Sequence, residues 1–501
     1  MAVAAVEGCW WQSLRSIGLH KYDGFPEYGY LVFHEPGQRR VFAARPMNHH
    51  QQPDFVDSLR RDLSDWRQWL ARAVVLTYAA AAGLAVVAFT WLSDRCLHGF
   101  AAVLHWHPLA PLLWTPAWTA LLAWITVRFA PGVSGSGIPQ VMAALSPAVD
   151  VEQRGLFVSL RLSALKTFLT AGGLLGGLAI GREGPSVQIA AGVMQHAQRW
   201  LPPRSAINHH GLLVAGGAAG IAAAFNAPLA GVMFAIEELT RKIEQRSSGL
   251  IISAIVLSGL MGVSAFGNAT YFGVIRVPTL GVSYIGPGML VIVGCGLLGG
   301  VFSRLLHAST VGSADRFSGW RRAHPVWFAG GCGLALGVIG LASKGVTFGS
   351  GYEYTRRLVE GHAVVPFLYV TLRIAATWLS VWSGVPGGIF APSLAIGAGV
   401  GADVSLLTSM DSSAAPLIAL GMTAFLAAVT QAPITSFIIV MEMVDGHAMV
   451  LSLMAAALGA SLMARWISQP LYSTLAQAQL TRLPQPEGAT PATQATLLGH
   501  S

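Results

Sequence analysis

The chain has 501 residues, of which 53% are hydrophobic and only 11% are charged, and its mean hydropathy is +0.56. Soluble proteins carry about 25% charged residues, so this composition excludes an ordinary soluble protein and indicates a multi-spanning membrane protein. The net charge of +8 is spread through loops and is interpreted as membrane orientation, not nucleic-acid binding. The four cysteines form no CxxC pair, so neither a disulfide framework nor a metal site is predicted.

Four parts are predicted along the chain. Residues 1–70 form a polar tail of mixed charge, expected to be cytoplasmic, whose last part, from Asp54 to Arg72, is helical. Residues 71–270 and 271–479 are the two halves of a transmembrane domain, and residues 480–501 are a short disordered C-terminal tail. Many apolar segments of the two halves are shorter than the ~20 residues that span a bilayer. Short, broken segments at matching places in two halves are typical of transporters with a site near the membrane midplane.

The two halves match each other in sequence. The run from Gly181 to Val193 aligns with the run from Gly388 to Val400, and Lys166 falls on Arg373 at the same offset. We therefore infer an internal repeat, which in membrane transporters commonly has inverted topology. Lys166 and Arg373 are expected to be semi-buried cations that raise the positive potential of a pore, or side chains that snorkel to the interface.

A second match supports the repeat. Asn226-Ala-Pro with Glu237 corresponds to Gln431-Ala-Pro with Glu442, and the spacing from proline to glutamate is the same in both. We interpret Glu237 and Glu442 as structural partners for helix ends.

An acidic residue between long apolar runs occurs in the stretch Gly181-Arg182-Glu183-Gly184-Pro185. A carboxylate in a membrane interior is costly and is a functional-site hypothesis by default. Pro185 suits the first turn of a helix, so a helix start is predicted here, with unpaired N–H groups that attract an anion. Glu183 therefore lies where an anion would bind. The alternative is a carboxylate that only caps its own helix.

Three further predicted helix starts carry hydrogen-bond donors. They are Gly135-Ser136-Gly137-Ile138-Pro139, Gly388-Ile389-Phe390-Ala391-Pro392 and Gln469-Pro470-Leu471-Tyr472. Hydroxyl and amide donors suit an anion, whereas a cation site needs carbonyls or carboxylates. The structural alternatives are that Ser136 is only an N-cap, that Phe390 only packs, and that Tyr472 is an interfacial aromatic residue.

The motifs GSGIP, GREGP and GGIFAP, in this order and with a late tyrosine in PLYS, resemble the chloride channel and transporter family (CLC) from about Arg72 to Gln479. The resemblance is to bacterial H+/Cl− exchange transporters without a C-terminal regulatory domain. It implies an all-α polytopic membrane protein with an inverted-repeat fold of many tilted and broken helices. It also implies a homodimer with one pore per subunit, both termini cytoplasmic, in the cell membrane and most readily a bacterial inner membrane.

The resemblance implies a ligand set as well. A chloride is held by the hydroxyls of Ser136 and Tyr472 and by the backbone N–H groups of Ile389 and Phe390. Glu183 falls on the family's gating glutamate, which competes with chloride from the outer side. Chloride and protons are the transported species, and no cofactor is expected. Gln140 stands where many relatives carry an acid, a departure expected to alter the inner mouth and to leave the ligands intact.

Glu238 is a candidate internal proton relay. The pair Glu237-Glu238 precedes Arg241, Lys242 and Arg246, a basic loop that indicates the cytoplasmic side. In the resemblance, Glu238 falls on the glutamate that marks many proton-coupled members, which favours H+/Cl− antiport. The alternative transport mode is a passive voltage- or pH-gated chloride channel. The structural alternative for Glu238 is an acid at a helix end that only contacts water or pairs with a nearby cation. No HExxH or nucleophile elbow supports an enzyme.

Overall fold

The computed structural model describes residues 30–35, 38–43 and 66–481, apart from 203–204, 206, 241–247, 268–270, 273–280, 313–314, 364, 367 and 410–413. The chain divides into two compact units, Met1–Trp69 and Leu70–Ser501. In the first unit, strands β1 (Tyr30–Glu35) and β2 (Gln38–Ala43) pair as an antiparallel hairpin. This hairpin was not predicted, although the Pro-Gly dipeptide between its strands is a turn signal.

The predicted helix from Asp54 to Arg72 is present from Trp66 onward, and residues 54–65 lie outside the described residues. From Trp66 the described residues form eighteen α-helices. The first eight are α1 (Trp66–Trp106), α2 (Pro111–Phe129), α3 (Ile138–Leu145), α4 (Leu160–Leu175), α5 (Glu183–His196), α6 (His209–Phe225), α7 (Pro228–Phe234) and α8 (Ser248–Phe266). A π-helical turn, Ala235–Leu239, continues α7.

The other ten helices follow. They are α9 (Ile285–Val311), α10 (Arg316–Ala323), α11 (Pro325–Ala342), α12 (Tyr352–Val359), α13 (Tyr369–Trp382), α14 (Phe390–Leu407), α15 (Ala414–Thr430), α16 (Pro433–Met443), α17 (Val450–Arg465) and α18 (Leu471–Leu480). Six helical segments in the described part of the chain are long and apolar enough to cross a membrane. Several others, including α3 and α12, are far too short to do so, as the interrupted apolar pattern predicts.

A reciprocal backbone contact relates the two halves. The Gly181 N–H donates to the Gly388 carbonyl over 2.7 Å, and the Gly388 N–H donates to the Gly181 carbonyl over 2.8 Å. The two glycines occupy equivalent positions of the sequence repeat. A contact that equivalent residues exchange reciprocally is what a two-fold relation produces at its axis. The halves of this chain therefore meet across an internal two-fold relation.

The two repeat glutamates exchange contacts in the same way. The Glu237 carboxylate accepts from the N–H groups of Ile434 and Thr435, at 3.1 and 2.6 Å, where α16 begins. The Glu442 carboxylate accepts from Leu229 and Ala230, at 3.3 and 2.7 Å, where α7 begins. A carboxylate is a strong acceptor for the unpaired N–H groups of a helix start. Both glutamates thus partner a helix end, as the sequence repeat predicted.

Lys166 and Arg373 are fully buried, which corrects the expectation of semi-buried or snorkelling cations. Their charged ends donate hydrogen bonds of 2.6–2.9 Å to backbone carbonyls, which offsets part of the cost of burial away from water. The Arg373 Nε has no hydrogen-bond partner among the described residues. The Lys166 ammonium donates to the carbonyl oxygens of Val133 and Gly135. The Arg373 guanidinium donates to those of Thr347 and Gly349.

These carbonyls belong to two loops with the same Gly-Ser-Gly sequence. Gly135-Ser136-Gly137 precedes α3, and Gly349-Ser350-Gly351 precedes α12. All four glycines have a positive φ, between 67° and 111°, a conformation that glycine adopts without strain. The second loop was not predicted as a counterpart of the first, because its offset differs from that of the longer match.

We expect Glu237→Gln and Glu442→Gln to lower stability by similar amounts, about 1 kcal/mol each, because hydrogen bonds to charged acceptors are stronger than those to neutral ones. The measurement is the thermal unfolding midpoint of the full chain in detergent. Glu360→Gln is the control, since the Glu360 carboxylate lies at the surface and pairs with Arg356 over 2.9 Å. This account would be contradicted if the unfolding midpoint fell equally in Glu360→Gln, or if it fell in neither Glu237→Gln nor Glu442→Gln.

Candidate ion-binding site

Four helices begin at one place in the fold: α3, α5, α14 and α18. A Cβ atom on Gly184 would collide with the Ser136 hydroxyl, so the starts of α3 and α5 are in contact. The Phe390 ring stacks on the Tyr472 ring, with centroids 5.9 Å apart and planes 10° apart, which joins α14 to α18. The Ser136 hydroxyl lies beside the Tyr472 phenol. The structure therefore brings together the four helix starts predicted from the sequence.

Prolines fix the first turns of these helices. Each of three helices has a proline in its first turn: Pro139 in α3, Pro185 in α5 and Pro392 in α14. Proline lacks an N–H group that would be unpaired there in any case, so it favours a helix start without loss of a hydrogen bond. The broken helices are thus encoded locally by the GSGIP, GREGP and GGIFAP motifs.

The two hydroxyl donors gathered here are buried. Ser136 is 8% exposed and Tyr472 is 0% exposed, yet neither hydroxyl has a hydrogen-bond partner among the described residues. The backbone N–H groups of Ile389 and Phe390 lie at the start of α14, where no intrahelical acceptor is available. A buried donor without a partner costs about 1–3 kcal/mol. An anion at this point would satisfy several donors at once.

Ser136 does not cap α3, which removes one structural alternative. The N-cap residue is Gly137, and its N–H donates to the Gln140 side-chain oxygen over 2.9 Å. The Gln140 side chain thus accepts from the N-cap N–H, as the third helical residue does in a capping box. The Ser136 hydroxyl takes no part in this cap and is available for a ligand. This local role of Gln140 was not predicted from the sequence.

The Glu183 carboxylate lies across the starts of two helices. It is fully buried, and its Oε2 accepts from the Ala391 N–H of α14 over 3.4 Å. The carboxylate also faces the N–H groups of Arg182 and Glu183. Its other oxygen has no hydrogen-bond partner among the described residues. Glu183 therefore does more than cap its own helix, because the facing helix of the other half also donates to it.

Residues of the four helix starts and their neighbours line two cavities. The Ser136 vestibule, about 680 Å³, is lined by Ser136, Gln140 and Ile389 together with α18 residues. The Arg182 vestibule, about 1030 Å³, is lined by Arg182, by residues of α1 and by the loop before α12. Glu183 directly follows Arg182, which lines the Arg182 vestibule, and its carboxylate contacts the start of α14, next to Ile389 of the Ser136 vestibule.

Arg182 is held by two residues that were not predicted as part of the site. Its guanidinium donates to the Asp94 carboxylate over 2.6 Å and to the Tyr271 hydroxyl over 3.0 Å. Asp94 is the one acidic residue of α1, which is a signal that could have marked it. Tyr271 carries no comparable signal, because only the fold brings it to Arg182.

Glu238 lies in the π turn after α7 and is half-buried. The Tyr472 phenol lies within electrostatic reach of both Glu238 and Glu183. Tyr472 is therefore near both acids. The basic residues Arg241, Lys242 and Arg246 lie outside the described residues.

Comparisons with known proteins identify the family. A model of the family described as voltage gated chloride channel matches residues 118–465. The H(+)/Cl(-) exchange transporter ClcA of Klebsiella pneumoniae is 32% identical over 450 residues, which cover 85% of this chain and 91% of the relative. The transporter of the same name from Citrobacter koseri is 33% identical over 440 residues, 83% of this chain and 89% of the relative.

A solved structure agrees with the sequence relatives. A slow cyanobacterial Cl−/H+ antiporter superposes with a TM-score of 0.72 at 25% identity, covering 82% of this chain and 98% of that chain. The chain belongs to the CLC family of chloride channels and transporters. The predicted fold class, an all-α polytopic membrane protein with an inverted repeat, is confirmed. The division of the transmembrane part into residues 71–270 and 271–479 stays a prediction.

We expect Tyr472→Ala to weaken chloride binding at least tenfold, because it removes a hydroxyl donor to a charged ligand, about 1.5 kcal/mol or more, and the ring that packs on Phe390. The measurement is calorimetric titration of the full chain with chloride. Tyr472→Phe keeps the ring and isolates the contribution of the hydroxyl. Unchanged affinity in Tyr472→Ala would exclude Tyr472 from the site.

Proposed function

We propose that this chain exchanges chloride for protons across a membrane, with Glu183 as the gate. The observation that carries the proposal is the position of the Glu183 carboxylate. It accepts from the N–H of Ala391, next to the N–H groups of Ile389 and Phe390 that would bind the chloride. A negatively charged side chain and a negatively charged ion thus compete for donors of the same helix starts.

The chemistry of the gate follows from that competition. Ionised, Glu183 is retained by the helix starts and blocks the path between the vestibules. Protonated, it loses its charge and its attraction to those N–H groups, and it moves aside. A chloride bound beside Glu183 favours its protonation through repulsion between like charges. Proton binding and chloride binding then reinforce each other, and this coupling is reciprocal.

The ligand set favours a small monatomic anion. It consists of the hydroxyls of Ser136 and Tyr472 and the N–H groups of Ile389 and Phe390, without a bidentate arginine clamp at that point. Partial positive charges bind chloride strongly enough to admit it and weakly enough to release it. Glu238 serves as the proton acceptor on the Ser136 side, and the proton passes near Tyr472 to reach Glu183.

Further parts of the proposal concern assembly and location. The protein works as a homodimer with one pore per subunit, in a bacterial inner membrane with both termini cytoplasmic. Its partners are chloride, protons and the lipid bilayer, and transport requires no cofactor and no catalytic step. The relatives reported above are bacterial and are named as transporters, which supports this reading.

Glu183→Gln should abolish proton movement and retain chloride flux, because the amide cannot ionise and cannot carry a proton. The measurement is chloride-driven proton uptake, together with chloride efflux, in liposomes that contain the purified full chain. Proton uptake at the unmodified rate would overturn the assignment of Glu183 as gate. A wild-type protein that passes chloride and never moves protons would identify a passive channel.

Glu238→Gln should reduce proton uptake at least tenfold while chloride still crosses, because it removes the proposed proton acceptor and leaves the chloride donors in place. Glu237→Gln is the matched control, since the neighbouring Glu237 carboxylate binds the start of α16 instead. Equal losses of proton coupling in the two variants would reassign Glu238 to a structural role.

A further inference from the structure

The Gln140 side chain spans Ser136 with two hydrogen bonds. Its carbonyl oxygen accepts from the Gly137 N–H over 2.9 Å, and its amide nitrogen donates to the Ser134 carbonyl oxygen. One bond lies directly after Ser136 in the chain, and the other lies two residues before it. The carboxamide therefore closes the backbone on both sides of the residue whose hydroxyl belongs to the proposed chloride site.

The position of Gln140 requires a neutral group that both donates and accepts. Gln140 is 2% exposed and lies in the wall of the Ser136 vestibule. A buried amide without partners is costly, so these two contacts hold the side chain in one orientation. A carboxamide offers a donor and an acceptor at the same time, whereas an ionised carboxylate only accepts.

Other contacts hold the backbone before this serine. The Ser134 hydroxyl donates to the Gly384 carbonyl over 2.9 Å. The Gly135 carbonyl accepts from the Gly387 N–H over 3.2 Å, and it accepts from the Lys166 ammonium as well. These contacts do not involve the glutamine and remain when it is replaced. We therefore expect a substitution of the glutamine to leave the loop folded and to loosen the turn that contains the serine.

The second Gly-Ser-Gly loop indicates that the fold itself does not require this clamp. Tyr354 follows Gly351 at the spacing at which Gln140 follows Gly137. Tyrosine has no amide, and the Tyr354 ring packs on the Tyr369 ring, with centroids 4.9 Å apart. The loop that carries the proposed chloride ligand thus has an amide where its repeat counterpart has a phenol. This difference points to the ligand, because both loops precede a short helix in the same way.

We propose that Gln140 is a positioning residue for chloride binding, whose carboxamide fixes the Ser136 turn so that the serine hydroxyl is directed at the ion. Gln140 acts through Ser136 and does not itself bind the ion. Without the clamp, the hydroxyl samples orientations that do not face the ion, and chloride binds more weakly. The inference rests on the proposed function, since it assigns a further residue to the same site.

The test is a double-mutant cycle on chloride affinity, measured by calorimetric titration of the full chain. Gln140→Met keeps the length of the side chain and removes both hydrogen bonds. It should weaken chloride binding about tenfold, the value of one hydroxyl donor to a charged ligand. Ser136→Ala should weaken binding by a similar factor. When Gln140→Met is added to Ser136→Ala, binding should weaken by less than about twofold more, because the hydroxyl that the clamp positions is already gone.

Gln188→Met is the matched control. Gln188 is also fully buried, and its amide donates to the carbonyls of Gly132 and Phe157 over 3.2 and 2.7 Å, outside the Ser136 turn. The substitution should lower the thermal unfolding midpoint, as Gln140→Met does, because each removes hydrogen bonds of a buried amide. It should leave the chloride affinity within about twofold of that of the unmodified chain.

A pH profile separates positioning from a general loss of stability. Gln140→Glu supplies both a donor and an acceptor only while the introduced carboxyl is protonated. The profile is measured in a Glu183→Gln background, which removes the proposed proton coupling of the gate. There, Gln140→Glu should match the affinity of its parent near about pH 4 and bind chloride about tenfold more weakly near about pH 8.

The comparison of parent and variant isolates the introduced carboxyl. Other charged and titratable groups lie on the surrounding elements and are the same in both proteins, so their titration cancels in the difference. These groups are Lys166, Glu238, Tyr472, Arg321 and Arg322, together with the position of Glu183, which is an amide in both proteins. If Gln140→Met does not fold, the pH profile decides, because Gln140→Glu keeps both hydrogen bonds at acid pH.

Three results would overturn the positioning role and leave the proposed function standing. The first is an unchanged chloride affinity in Gln140→Met. The second is a loss in Gln140→Met that multiplies in full with the loss in Ser136→Ala, or that Gln188→Met reproduces. The third is a flat pH profile for Gln140→Glu relative to its parent. Absence of chloride binding by the unmodified chain would instead count against the proposed function, and the positioning role would fail with it.

Discussion

The structure depends on unpaired backbone N–H groups at helix starts that lie inside an apolar protein. Such groups cannot be left without an acceptor where water is scarce, so something negatively charged or strongly polar must lie against them. Here the acceptors are carboxylates: Glu237 and Glu442 for two helices, and Glu183 for the pair that meets at the centre. The first two acceptors are structural, whereas we propose that an ion replaces the third. On this proposal, Glu183 is the gate and the other two glutamates belong to the scaffold.

The repeat has one glutamate at its centre, because the equivalent positions of the two halves carry different side chains. Repeat symmetry places Glu183 opposite Phe390, so the halves offer the same backbone geometry with different side chains. On one side Phe390 packs on Tyr472, and on the other the neighbouring Arg182 binds Asp94 and Tyr271. A symmetric backbone with asymmetric side chains makes the two helix starts chemically different.

Much of the site could be predicted from the sequence, because its information is local. Glycine and proline specify where helices break, and the three motifs named Ser136, Glu183 and Phe390 directly. The contacts of Asp94 and Tyr271 could not be predicted, since they depend on how α1 and the segment after α8 pack around Arg182. The burial of Lys166 and Arg373 was missed for a related reason. Their acceptors are carbonyls of loops that lie 24 to 33 residues earlier in the chain, and only the fold shows that these loops surround the charged ends.

The central claim is that the Glu183 carboxylate and the ion exclude each other unless the carboxylate is protonated. Its most direct test is the number of protons taken up when chloride binds, obtained by calorimetry in buffers of different ionisation enthalpy. The account predicts net proton uptake with chloride binding by the unmodified chain and none by Glu183→Gln. Chloride binding without proton uptake, or equal uptake by both proteins, would contradict it.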